Sequence, residues 1–162
     1  MIRRLLLTGF AALSLAGCGG NAPDGAAQSA SRLLAAAFEG DRVAFEAEID
    51  RGAVREDVRR QVTALARATT LDVDGGPSEF ALDRMISPAA IRLVHAGSGE
   101  TLSVAPTPAQ VAPLMTTMDA RHACLRDREA PDRCLLTFAR AGGAWRLVGM
   151  QATGLRIELA SR

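Results

Sequence analysis

The chain has 162 residues, with 19 basic and 18 acidic side chains, and this near-neutral balance gives no electrostatic footprint for nucleic acid. All the basic residues are arginine. Aromatic residues make up only 4%, with no tyrosine, which weighs against carbohydrate platforms and base-stacking surfaces. The wealth of arginine, alanine and glycine reads as the product of a GC-rich coding sequence rather than of an arginine-specific task.

The N-terminus opens on Met1, Ile2, Arg3 and Arg4, followed by an uncharged run over residues 5–15 and then Ala16, Gly17 and Cys18. A positive start, an apolar run of this length and small residues at a cut site make residues 1–17 a secretory signal. A spanning helix needs about 20 apolar residues. Here Gly19, Gly20, Asn21, Pro23 and Asp24 end the run too early. Leu15-Ala16-Gly17-Cys18 resembles the bacterial lipobox. The resemblance implies cleavage before Cys18, diacylglycerol on its sulfur and an acyl chain such as palmitate on the new amino group. No cofactor is expected. One acyl chain binds a membrane only reversibly, whereas two or three on one residue anchor it. Residue 19 is Gly rather than Asp, and by the sorting rule of such lipoproteins this implies the outer membrane, on its periplasmic face.

Removing 17 of the 162 residues leaves 145, a single-domain length. It also removes Arg3 and Arg4, so 17 basic residues face 18 acidic ones and the net charge becomes −1. Residues 18–28 lack an apolar period and carry Gly, Pro and Asn, which reads as a lipidated Cys18 on a flexible tether. Ten such residues span roughly 16–19 Å as a coil. Residues 29–162 are then one globular domain.

Helical signals follow. Residues 31–38 form a short helix closed by Gly40, and Asp41 caps a second helix running to about Asp50, where Gly52 repeats the stop. A third covers about 54–68, with Val54, Val58, Val62 and Leu65 on one face and Arg55, Glu56, Arg59, Arg60 and Arg67 on a solvated side. Residues 71–76 are a loop and 80–86 a helix. Ser87-Pro88 and Thr107-Pro108 are helix starts, for segments of about 88–95 and 108–118.

After Asp119 the period becomes two. Residues 120–126, 133–140, 144–151 and 155–159 read as strands, with turns at Glu129-Ala130-Pro131 and Gly142-Gly143. The Gly-Gly turn pairs Ala141 with Ala144, Phe138 with Leu147 and Leu136 with Gly149. Cys134, Leu136, Phe138, Trp145 and Leu147 then share the face that packs on the helices. The expectation is an α+β fold, with N-terminal short helices on a C-terminal antiparallel sheet of three to four strands.

In an exported chain, Cys124 and Cys134 pair as a structural disulfide, directly opposed across a hairpin centred on residue 129. The alternative is a metal site of His122, Cys124 and Cys134 with both thiols reduced, but this spacing matches no zinc motif. Asp72-Val73-Asp74-Gly75, with Asp83 eleven residues after Asp72, resembles a calcium loop. Gly76 and Pro77, however, stand where an oxygen ligand and a glycine are required. His95 falls at a predicted helix end, where an imidazolium suits the dipole. No serine lies in a G-x-S-x-G setting, so no catalytic or metal residues are assigned.

Residues 35–41, with Arg51-Gly52-Ala53 after them, resemble an ankyrin helix-turn-helix, but no second copy follows about 33 residues later. The unit therefore reads as a helical hairpin with a Gly-Asp joint. The helices of residues 33–65, the Ser-Pro start within residues 81–94 and the Trp-Arg-Leu-Val element at Trp145–Val148 together resemble a bacterial envelope family, domain of unknown function 2939. That family has no assigned activity.

The expected function is a membrane-anchored periplasmic lipoprotein acting as a non-catalytic binding module for a partner protein or small apolar ligand. The alternatives are a structural or stress-related lipoprotein without a specific ligand, and a hydrolase of envelope polymers, which needs a carboxylate pair or metal in a cleft. A closed pocket lined by Phe80, Met85, Phe138 or Trp145 favours a ligand. A packed core with an exposed apolar patch favours a protein partner.

Overall fold

Pro23 and Asp24 sit in the first turn of a helix that begins earlier than the apolar pattern suggests. The computed structural model describes residues 22–69 and 76–160. Helix α1 spans Ala22–Glu39, so residues 22–28 are helix rather than tether, and residues 18–21 lie outside the described residues. Small side chains explain the difference. Ala26, Ala27 and Ala30 are buried in line with Leu33 and Leu34, letting α1 approach the sheet closely. Gly25 extends that contact: a Cβ there would lie 3.0 Å from the Trp145 ring.

Gly40, at φ 68°, closes α1, and Asp41 caps α2 (Arg42–Ala47) by accepting from the Ala44 amide at 3.0 Å. The Gly-Asp helical hairpin is therefore present. The second helix stops at Ala47, however, because Asp50 caps α3 (Arg51–Ala68) through the Ala53 amide, and Gly52 lies inside its first turn. Val54 and Val58 are buried and Val62 partly so, while Leu65 is 52% exposed. The apolar stripe thus outlasts the contact.

Helix α4 (Glu79–Met85) starts at Ser78, whose hydroxyl caps the Ala81 amide. Ser87-Pro88 then opens only a single tight turn over Pro88–Ala90, and strand β1 (Arg92–His95) follows where a helix was expected. Ile91, Leu93 and Val94 are all buried there, and β1 pairs in parallel with β6 (Arg156–Leu159). The second Pro-started helix is also cut short. Helix α5 covers Pro108–Val111, Pro113 sits in the tight turn Ala112–Leu114, and β2 runs over Met115–Thr117.

Strands β2, β3 (His122–Arg126), β4 (Cys134–Ala141) and β5 (Ala144–Met150) form an antiparallel sheet in chain order. The molecule is α+β, as expected, with the small parallel β1–β6 sheet in addition; the last strand joins that sheet and not the main one. Ala141 and Phe138 pair with Ala144 and Leu147, but a bulge beyond Phe138 sets Thr137 opposite Gly149 and Leu136 opposite Met150. A second bulge at Leu125/Arg126 leaves Leu135 as the extra residue and turns Cys134 off the core face. Leu136, Phe138, Trp145 and Leu147 remain on that face, buried beneath α1 and α3.

Neither sheet edge is left bare. Strand β2 is only three residues long, and the β5 edge is covered by residues 48–50, which exchange backbone hydrogen bonds with Leu147. Farther along, Asp57 accepts from the Met150 amide at 3.2 Å, and Gln61 bonds both the Met150 carbonyl and the Ala152 amide.

Candidate functional site

The proposed lipid-bearing Cys18 lies outside the described residues, as do Asp72 and Asp74 of the calcium-like loop. Asp83 is on α4, where it pairs with Arg55 at 2.5 Å. Cys124 and Cys134 form the disulfide, with Cα atoms 5.7 Å apart. They are not directly opposed. Cys124 faces Thr137 and Cys134 faces Arg126, so the bridge runs diagonally across the bulge, on the sheet face opposite the one that carries Leu125 and Leu136. Closing a loop of this length contributes about 2–3 kcal/mol in the chain-entropy model.

With both sulfurs bonded to each other, the His122-Cys124-Cys134 ligand set does not assemble, and no cluster of metal-ligating side chains occurs among the described residues. His122 turns instead to Asp119, its Nδ1 2.8 Å from Oδ2. Asp119 also accepts from the Arg121 amide at 2.7 Å, and these bonds hold its carboxyl below the usual range, the Arg121 amide first and His122 second. His95 is in β1, not at a helix end, with its Nδ1 buried and without a hydrogen-bond partner among the described residues.

Phe138 and Trp145 are sealed in the packed core, and Met85 lies at its margin. Phe80, in contrast, is 73% exposed. It lines an open cleft of about 500 Å³ together with Arg42, Asp83, Arg84, Ser87 and Ala89–Ala90. A smaller cleft of about 210 Å³ is lined by Ile91, which follows Ala90 of the first in the chain, and by Ala37, Phe38, Arg92, Leu93 and Thr101. Val43, 82% exposed beside Arg42, adds to the same region. The lining is mixed: Phe80, Ala89 and Ala90 in the larger cleft and Phe38, Ile91 and Leu93 in the smaller supply apolar surface, beside Arg42, Arg84, Arg92 and Asp83. The surface lies at the C-terminal end of α1, whose 18 residues are about 27 Å long.

An ion-pair cluster backs this surface. Arg51 pairs with Glu46 at 2.6 Å and reaches Asp83 at 3.4 Å; Arg55 spans Asp83 and Glu79; Arg59 joins Glu56 and Glu79. Arg55 donates to Asp83 and holds its carboxyl below the usual range. The side of α3 expected to be simply solvated is therefore the side that fixes α4 in place. The signal was present in the spacing. Arg51, Arg55 and Arg59 recur every four residues, as do Glu79 and Asp83, so both rows lie on single helix faces.

Comparison with known proteins finds no matching family model, curated protein or solved structure, so the likeness to domain of unknown function 2939 gains no support. Among the described residues, no helix is long and apolar enough to cross a membrane.

Proposed function

We propose that the chain is a lipoprotein anchored to the cell envelope through Cys18, facing the periplasm from the outer membrane, and that its domain is a non-catalytic module that binds a partner protein. The observation carrying this reading is the pair of open clefts around Phe80 and Phe38, at the end of α1 remote from the anchor. The core leaves little room for a small apolar ligand, since Phe138 and Trp145 are packed inside it. An exposed aromatic side chain that shares a cleft with arginines, as Phe80 does with Arg42 and Arg84, is the composition that protein interfaces favour. The charged groups behind the clefts are engaged with one another, which suits a rigid binding platform better than acid–base chemistry.

The test is site-specific photocrosslinking in living cells. A photoreactive residue replacing Phe80 is expected to yield a discrete protein adduct, and the same residue replacing Arg128, in the turn between β3 and β4, is expected to yield none. Absence of any adduct at Phe80, or equal adducts at both positions, would contradict the reading.

A further inference from the structure

We infer that the end of the main sheet beside the α1 N-terminus docks on anionic lipid headgroups and so orients the domain on its own membrane. The inference rests on the lipid anchor at Cys18 and adds to it a face and an orientation. Only four Cα-to-Cα steps separate Cys18 from Ala22, a reach of at most about 14 Å. The first turn of α1 is therefore held close to the bilayer.

That turn lies against the sheet at a definable place. The Gly25 backbone packs on the ring of Trp145, at the start of β5 and next to the Gly142-Gly143 turn. Because β2, β3, β4 and β5 are antiparallel neighbours, the turn between β2 and β3, residues 118–121, falls at the same end. Arg121 and Met118 in the first turn, with Arg140 and Arg146 on the strands flanking the second, are exposed, Met118 by 60%. None of these three arginines has a carboxylate partner among the described residues; Arg146 instead donates to the Ala47 carbonyl at 3.1 Å. The acids near this end include Asp24, Asp119 and Glu48; Asp119 is already engaged by two backbone amides and His122, and Glu48, which shares the Ser29 hydroxyl with the Trp145 carbonyl, is paired with Arg32. Unpaired arginines near an anionic surface are attracted within about a Debye length, and an exposed methionine enters the headgroup boundary at little cost.

Arg42, Arg84 and Arg92 at the far end are also basic, but they sit about 27 Å along α1 from the tether. Chain reach, rather than charge alone, selects the near end.

Trp145 is the single tryptophan and lies at the docking end, so it serves as the reporter. The lipidated full chain is reconstituted into vesicles of phosphatidylcholine alone or mixed with phosphatidylglycerol, each containing a dansyl-headgroup lipid. Energy transfer from Trp145 is expected to rise in the anionic vesicles and to lose that rise in high salt. The rise should also be lost in Arg121→Glu/Arg140→Glu, and kept in Arg84→Glu/Arg92→Glu. Circular dichroism checks that both variants are folded. Equal transfer in the two vesicle types, or loss of the rise only in the far-end variant, overturns the inference while leaving the anchor intact. A wild-type chain that fails to float with either vesicle and lacks lipid mass overturns the anchor, and the docking face with it.

Discussion

Gly149 has space for no side chain. A Cβ there would lie 2.9 Å from Asp57 Oδ2 and 3.3 Å from its Cγ, with Thr137 Cβ at 3.4 Å on another side. Asp57 cannot yield freely, since the same oxygen accepts the Met150 amide and is held by Gln61 at 2.8 Å. Gly149→Ala should therefore destabilise the domain by about 1–3 kcal/mol, the range for overpacking a fitted site. Chemical denaturation checks this, and the loss should shrink when Asp57→Gly is introduced in the same chain, because the two positions share one contact. Sequence alone reads Gly149 as an ordinary member of a strand, since nothing local reveals the bulge that places it beneath α3.

At the scale of the element, the ion pairs between α3 and α4 give the fold a sign in its pH dependence. Asp83 has its carboxyl lowered in the folded state by Arg55, and then by its other basic neighbours. Its contribution is present above the ordinary carboxylate range of the unfolded chain and is lost as pH falls through the depressed folded value. Both partners are partly exposed, so the contribution is modest. Asp83→Asn should flatten the fall in thermal stability between neutral and acid pH, relative to wild type. An unchanged slope would show that the pairing is absent in solution.

Elements with a strong local chemical signal were legible in the sequence: the Asp41 cap, the Gly40 stop, the Gly142-Gly143 hairpin and the partnership of the two cysteines. The failures share a cause, in that tertiary contacts overrode local preference. Residues 22–30 carry no apolar period strong enough to mark a helix, yet the small size of Ala26, Ala27 and Ala30 is what lets α1 approach the sheet. Ser87-Pro88 begins a turn well enough, but Ile91, Leu93 and Val94 find a parallel partner in β6 that no local pattern announces. The bulges beside Leu125 and Phe138 shift register by one residue, which changed Cys134 from a core position to an outward one. The clefts at Phe80 and Phe38 combine residues from α1, α2, α4 and β1, a grouping that only the folded chain makes.

For the whole molecule, the start of α1 at Ala22 alters the proposed anchor's role. A tether of ten residues would let the domain turn freely above the bilayer, whereas a lipid on Cys18, three residues before the helix, would hold one end of it near the surface. Under the proposed anchoring, the clefts at the other end would face away from the membrane, and the two ends would divide the work between attachment and recognition. Everything in that division depends on Cys18. The most direct measurement is intact-mass spectrometry of the chain purified from envelope membranes, with fragmentation of its N-terminal peptide. The account predicts a mature chain beginning at Cys18 and carrying diacylglycerol and an amide-linked acyl group, with a Cys18→Ser chain lacking both. An N-terminus elsewhere, or Cys18 without lipid mass in the membrane-bound chain, would contradict it.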